Sequence, residues 1–220
     1  MDANSRSIVS AQSGPHADLE TLVRRHAAHP FRKPVTAYNQ QAFDAAMALW
    51  RAEGEAPLIL DTGCGVGWST LKLAELYPDH FVLGIDQSID RLNRGKPLPL
   101  PVNAAFVRAD LIDFWRLLHQ VGVKPARQYL LYPNPWPKIG HLARRWQGHA
   151  VFPTIVALGG IIELRSNWKI YAEEWALALE LLSGKAVEVQ AYQPAGEPLT
   201  PFERKYLASG HALWRVATLL

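Results

Sequence analysis

Apolar positions along the chain keep two rhythms. Residues 17–29 and 36–53 show helical spacing, with Phe43, Met47 and Trp50 on one face of the second stretch. Pro30 and Pro34 part the two. From Pro57 onward the rhythm shortens. Apolar runs at 57–60, 81–85, 104–108, 127–132 and 160–165 predict five buried strands. Helical patterns follow them at 68–77, 88–94, 111–121, 141–158 and 168–182, the fourth broken at Pro153. Residues 186–192 and 212–220 predict a closing antiparallel pair, joined by a loop that contains Thr200-Pro-Phe-Glu203. Residues 1–15 read as a loose tail.

Alternation of strand and helix predicts an α/β fold: a doubly wound, mostly parallel seven-stranded sheet with an N-terminal helical extension. The expected division is an extension over 1–53 and the α/β domain over 54–220. Right-handed crossovers put helices on both faces of such a sheet. Ligands bind it outside the carboxyl ends of the strands. That rule gathers Asp61, Gly63, Gly65, Gly67, Asp86, Asp110, Asn134 and Asn167 at one edge.

Composition narrows the class. With 220 residues, 49% hydrophobic and 20% charged, the chain can bury a full core without staples. A single cysteine, Cys64, excludes a disulfide framework and a Cys-rich zinc module. It fits a reducing, cytoplasmic setting, and polar residues 1–15 predict no secretory signal. The longest apolar run, 150–162, is broken by Pro153, Gly159 and Gly160, so no membrane span is expected. The eight histidines never form a His-x-x-x-His or similar pair near acids, so no metal site is expected. The net charge of +3 is mild, but its distribution is not. Between Phe114 and Ile162 there is no acid, while Arg116, Lys124, Arg127, Lys138, Arg144 and Arg145 all fall there. A second acid-free basic group holds Arg24, Arg25, Arg32 and Lys33. Clustered cations form an electrostatic footprint for a polyanion, or a solvated surface.

Two segments carry chemistry. Asp61-Thr-Gly-Cys-Gly-Val-Gly67 closes a strand and opens a helix, where glycines permit a tight turn and let a ligand touch the backbone. Asp86 ends the next strand, with two carboxylate oxygens suited to two ribose hydroxyls. Asp110, after the third strand, can meet an adenine amino group. The second segment is Tyr132-Pro-Asn-Pro-Trp-Pro-Lys138, a stiff extended turn at the same edge. Asn134 offers one acceptor and two donor hydrogens, and Trp136 a flat face for stacking a base.

These residues resemble known families at two levels. The glycine loop with Gly84-Ile-Asp86 and Ala109-Asp110 resembles the class I, Rossmann-like S-adenosylmethionine-dependent methyltransferases. That resemblance implies S-adenosyl-L-methionine as cofactor, with Asp61, Gly63, Gly65 and Gly67 near its amino-acid part, Asp86 on the ribose and Asp110 near the adenine. The run Pro133-Asn-Pro-Trp-Pro-Lys-Ile-Gly-His-Leu-Ala-Arg-Arg-Trp146 is similar to the signature of the bacterial tRNA guanine-N7 methyltransferases. Arg32-Lys-Pro-Val-Thr-Ala-Tyr-Asn-Gln40, Ser166-Asn-Trp168 and Thr200-Pro-Phe-Glu203 extend the likeness over roughly residues 30–216. It implies a tRNA partner, with Asn134, Asn167 and Glu203 at the transfer point. It also implies Trp136, Lys138, His141, Arg144, Arg145 and Thr200 on the substrate side.

The chain departs from that pattern in two ways. Acids of the family are amides here, at Asn134 and Asn167, and Ile139, Gly140, Leu142 and Ala143 thin the basic run. Two acceptors therefore stay open: N7 of a guanine in tRNA, or a ring nitrogen of a purine-like or other heteroaromatic small molecule. A non-catalytic RNA-binding relative is opposed by the intact glycine loop and Asp86.

Overall fold

The computed structural model describes residues 5–220. Strand β1 (Leu58–Thr62) is buried at every position, as a strand covered on both faces must be. It pairs in parallel with β2 (Phe81–Asp86) on one side and β4 (Arg127–Leu131) on the other. β3 (Ala104–Arg108) extends the first side and β5 (Ile161–Ser166) the second, both parallel. β7 (Leu213–Leu219) adds antiparallel to β5, and β6 (Val189–Tyr192) antiparallel to β7. The order β3-β2-β1-β4-β5-β7-β6 reverses between β1 and β4. That reversal opens a crevice at their carboxyl ends.

Successive side chains of β1 part to opposite faces, as strand geometry requires. Leu58 and Leu60 join the larger core cluster, and Ile59 joins the smaller one. α5 (Leu111–Gln120), α6 (Phe152–Ala157) and α7 (Lys169–Ser183) supply the larger cluster, and α3 (Trp68–Leu76) the smaller. The N-terminal helices α1 (Leu19–Ala28) and α2 (Ala37–Ala52) have no core of their own. Leu19, Val23, Phe43 and Met47 are buried in the larger cluster.

Three expectations change. Residues 141–158 do not form one helix. Two 3-10 turns, Ile139–Arg144 and Trp146–Gly148, precede α6, and Arg145 between them is extended. A side chain at Gly148 would strike the Leu142 carbonyl, and Pro153 fits only a first helical turn. The loop expected around Thr200 is helix α8 (Pro201–Ala208), following the short α4 (Ile89–Leu92) and the others in chain order. Thr200 caps it by accepting from the Glu203 amide at 2.9 Å, and proline occupies its first turn. The N-terminal tail is not loose over its described part. Ser5 bonds to Ser209 and His211, Ser10 donates to the Pro137 carbonyl at 2.7 Å, and Gln12 reaches Glu174. Residues 1–4 lie outside the described residues.

Candidate active site

The crevice at the strand reversal is a cavity of about 680 Å³. One half is built from the ends of β1, β2 and β3. Gly63 and Gly65 hold left-handed backbone, which lets the loop turn back on β2, where the Gly63 and Cys64 amides donate to the Ile85 carbonyl. Gly67 is left-handed too, but its role is packing: a side chain there would enter the Phe106 ring. It does not line the cavity, whereas Gly63, Gly65, Asp86 and Asp110 do. Asp86 accepts from the amides of Ser88 at 2.8 Å and Gly65 at 3.0 Å, one on each oxygen, so the loop is tied to the end of β2. Arg91 stands 3.4 Å from the same carboxylate. Asp110 caps α5 through the Ile112 amide at 2.8 Å and borders the cavity as well.

Asp61 sits behind the loop, buried, and accepts from Ser69 at 2.6 Å and Thr70 at 2.7 Å. Burial pushes its carboxyl up to about 6, although the two hydroxyls hold it down and only Asp86 adds to the rise.

The second half follows β4. Tyr132 and Trp136 both take left-handed backbone, at φ 54° and 45°, on either side of Pro133-Asn-Pro. Non-glycine residues in this region persist only where neighbours enforce them. The Tyr132 hydroxyl donates to Glu203 at 2.9 Å, and the Arg145 guanidinium donates to the carbonyls of Trp136 and Lys138. Arg144 lies over the Trp136 ring at 4.8 Å. Asn134 is exposed at the cavity wall, and Trp136, Arg144 and Thr200 line it with Phe202 and Tyr206.

Five residues expected at the substrate are placed elsewhere. Arg145 is fully buried and paired with Glu174 at 2.6 Å, so it holds the loop from behind and does not face solvent. Glu203 is fully buried and accepts from Tyr132 and from Arg165 at 3.1 Å, so it is no free carboxylate at the acceptor. Asn167 is engaged with His211 at 3.2 Å and is absent from the cavity wall. Lys138 is exposed beyond the wall. His141 packs edge-on against Trp136, and its imidazole is held below the ordinary value by desolvation first, then by Arg144, Lys138 and Arg145. That direction favours the uncharged ring, which suits a packing partner better than a charged contact. Sequence pattern gives no warning of Phe202, Tyr206 or Trp146 as wall residues. The helix-start signal Thr-Pro-x-Glu is the trace that could have placed the first two.

Among the described residues no group of three His, Cys, Asp or Glu could hold a metal, and no helix is long and apolar enough to cross a membrane.

The family model described as "Putative methyltransferase" matches residues 55–216. A tRNA (guanine-N(7)-)-methyltransferase of Nocardioides sp. is 33% identical over 177 residues, covering 75% of this chain and 68% of the relative. One from Pseudomonas savastanoi pv. phaseolicola is 25% identical, covering 96% and 93%. The 16S rRNA methyltransferase KamB shares the fold at a TM-score of 0.55 and 17% identity, covering 98% of this chain and 99% of its own. A 16S rRNA (adenine(1408)-N(1))-methyltransferase from Catenulisporales acidiphilia, solved with SAM, does so at 0.53 and 16%, covering 79% and 90%. The chain belongs to the methyltransferase family of the tRNA (guanine-N(7)-)-methyltransferases.

Proposed function

We propose that the protein is a cytoplasmic enzyme that methylates N7 of a guanine in tRNA, using S-adenosyl-L-methionine. The observation that carries this is the joining of the two halves in one cavity: Gly63, Gly65, Asp86 and Asp110 on one wall, Asn134, Trp136 and Arg144 on the other.

The residues fit the methyl donor. Each Asp86 oxygen already accepts one backbone amide and keeps further lone-pair capacity for a ribose hydroxyl. Asp61 supplies negative charge behind the glycine loop for an ammonium, and Asp110 keeps one oxygen free of its cap for the adenine amino group. The donor contributes an electrophilic sulfonium methyl, and guanine N7 accepts it through an exposed lone pair with no proton to remove first. The protein's work is therefore alignment, a proximity effect of about 7–11 kcal/mol at best. Asn134 accepts from a base amino group and donates to a base carbonyl. Trp136, fixed from behind by Arg145 and in front by Arg144, offers a base a rigid wall. Lys138 and Arg144 remain as phosphate contacts.

The second reading, a small heteroaromatic acceptor, is favoured by one observation: burial of Arg145 removes a cation from an already thinned run. Transfer of labelled methyl to bulk unmodified tRNA, run against a small-molecule extract, separates the two. Label at guanine N7 of tRNA is expected; label in the extract alone would replace the first reading with the second. Salt dependence offers a finer check. Arg144→Ala should flatten the slope of log affinity for tRNA against log salt by about 0.7–0.9, the share of one phosphate contact. An unchanged slope would take Arg144 off the RNA.

Asp61 makes donor binding depend on pH. Its carboxyl gains a proton as pH falls through about 6, and the negative charge that attracts an ammonium is lost. Affinity for S-adenosyl-L-methionine should fall up to about tenfold per pH unit below that point, and Asp61→Asn should bind weakly at every pH. The same shift acts on stability with the opposite sense. The folded chain holds this proton more tightly than the unfolded chain, so between about pH 4 and 6 stability falls as pH rises. Asp61→Asn should melt higher than wild type at pH 7. A wild-type affinity that is flat from pH 7.5 to 5 would remove Asp61 from donor binding.

A further inference from the structure

Helix α8 presents an aromatic stack at the cavity mouth that the proposed reaction does not use. The Phe202 ring lies on Tyr206 with centroids 6.1 Å apart and 27° between planes. Tyr206 in turn lies on His211 at 5.3 Å and 21°. The stack is anchored at its inner end. His211 contacts the Ser5 carbonyl at 3.0 Å and Asn167 at 3.2 Å, and Tyr132 tilts against Tyr206 at 5.5 Å. The outer end is open: Phe202 is 56% exposed although it borders the cavity.

The first turn of α8 is held firmly enough to aim that ring. Thr200 caps it, Pro201 fixes its backbone, and Glu203 is locked between Tyr132 and Arg165. An i,i+4 contact with Tyr206 accounts for one side of Phe202 and leaves more than half of the residue uncovered. Exposed Arg204 and Lys205 follow it directly, with Arg204 over the Trp68 ring at 5.1 Å. An open aromatic face beside cations is the arrangement by which single-stranded nucleic acid is held, because every base has a π face.

We propose that Phe202 is a stacking subsite for an unpaired nucleobase, the base beside the one that receives the methyl group. The proposal rests on the tRNA reading for its ligand. It assigns α8 a role that the transfer chemistry itself does not require: ordering the strand so that the acceptor base enters between Asn134 and Trp136.

The test uses the full chain and a single-stranded oligoribonucleotide carrying 2-aminopurine, whose fluorescence is quenched on stacking. Wild type and Phe202→Tyr should bind and quench it. Phe202→Leu, which keeps an apolar side chain but no π face, should bind about 5- to 150-fold more weakly, the range of one base–aromatic stack. The melting temperature of the leucine variant should match wild type, since Phe202 is exposed. Equal binding and quenching by Phe202→Leu and wild type would overturn the subsite. Methyl transfer to bulk tRNA is measured alongside. If wild type quenches the probe in a Phe202-dependent way yet methylates no tRNA, the subsite stands and the tRNA reading falls.

Discussion

Arg145→Ala is expected to cost about 3–5 kcal/mol of folding free energy, the usual result of leaving half of a buried ion pair behind. Glu174 is fully buried, and both its oxygens are occupied. Arg145 takes both, Gln12 and the His16 amide share one, and Gln147 shares the other. Removal of the guanidinium strands that carboxylate. It also frees the Trp136 and Lys138 carbonyls, so the left-handed turn at Trp136 loses its restraint from behind. Equilibrium denaturation checks the first effect. A double variant, Arg145→Met with Glu174→Leu, isolates the second. Stability should return in large part, because an apolar pair can replace a buried ionic one. Turnover should stay low, because no methionine holds the two carbonyls. A double variant with full stability and wild-type turnover would show that Arg145 has no part in positioning Trp136.

The second large effect is expected on donor affinity. Asp86→Ala removes the charge-assisted bonds expected to the ribose, about 1.5–3 kcal/mol, which is tenfold or more in affinity. It also releases the Gly65 amide, so the glycine loop loses one of its ties to β2 and keeps those of Gly63 and Cys64 to Ile85. Asparagine is no conservative substitute here. Both Asp86 oxygens face backbone amide donors, and an asparagine must turn its own NH₂ toward one of them. Calorimetry on Asp86→Asn should therefore show a loss close to that of Asp86→Ala. Unchanged affinity in both variants would take Asp86 out of the site.

Much of this fold is legible along the chain because its determinants are local. Each parallel strand is a short apolar run stopped by glycine, proline or a polar residue. The glycine loop announces itself by an acid before it and a helix after it. The first turn of α8 was equally local, since a Thr cap, a Pro at the first turn and a Glu at the third helical position form a helix start. Fates of the charged residues were not local. Arg144 and Arg145 are chemically identical neighbours, and only the extended backbone between two 3-10 turns sends one outward and the other inward. The inward one finds Glu174, 29 residues away, on α7 among Trp175, Ala178 and Leu179. Glu203 is claimed by Arg165, 38 residues away, in the same manner. Such pairing is decided by the sheet order, which brings β5 beside β4 and α7 behind the acceptor turn. A list of residues does not contain it.

The segment from Ser5 to His16 has a further consequence, for the order in which the molecule is made. During synthesis these residues leave the ribosome well before Pro137, Arg145, Glu174, Ser209 and His211, which they grip. β1, β2 and β3 can pair as they appear, so the donor wall can form while translation continues. The acceptor wall has no such option. Its turn and its supporting ion pair stay without their N-terminal clasp until Glu174 is made, and its aromatic stack until Ser209 and His211 are. On the proposed reading, the wall assigned to the methyl donor can therefore form before the wall assigned to the acceptor is complete.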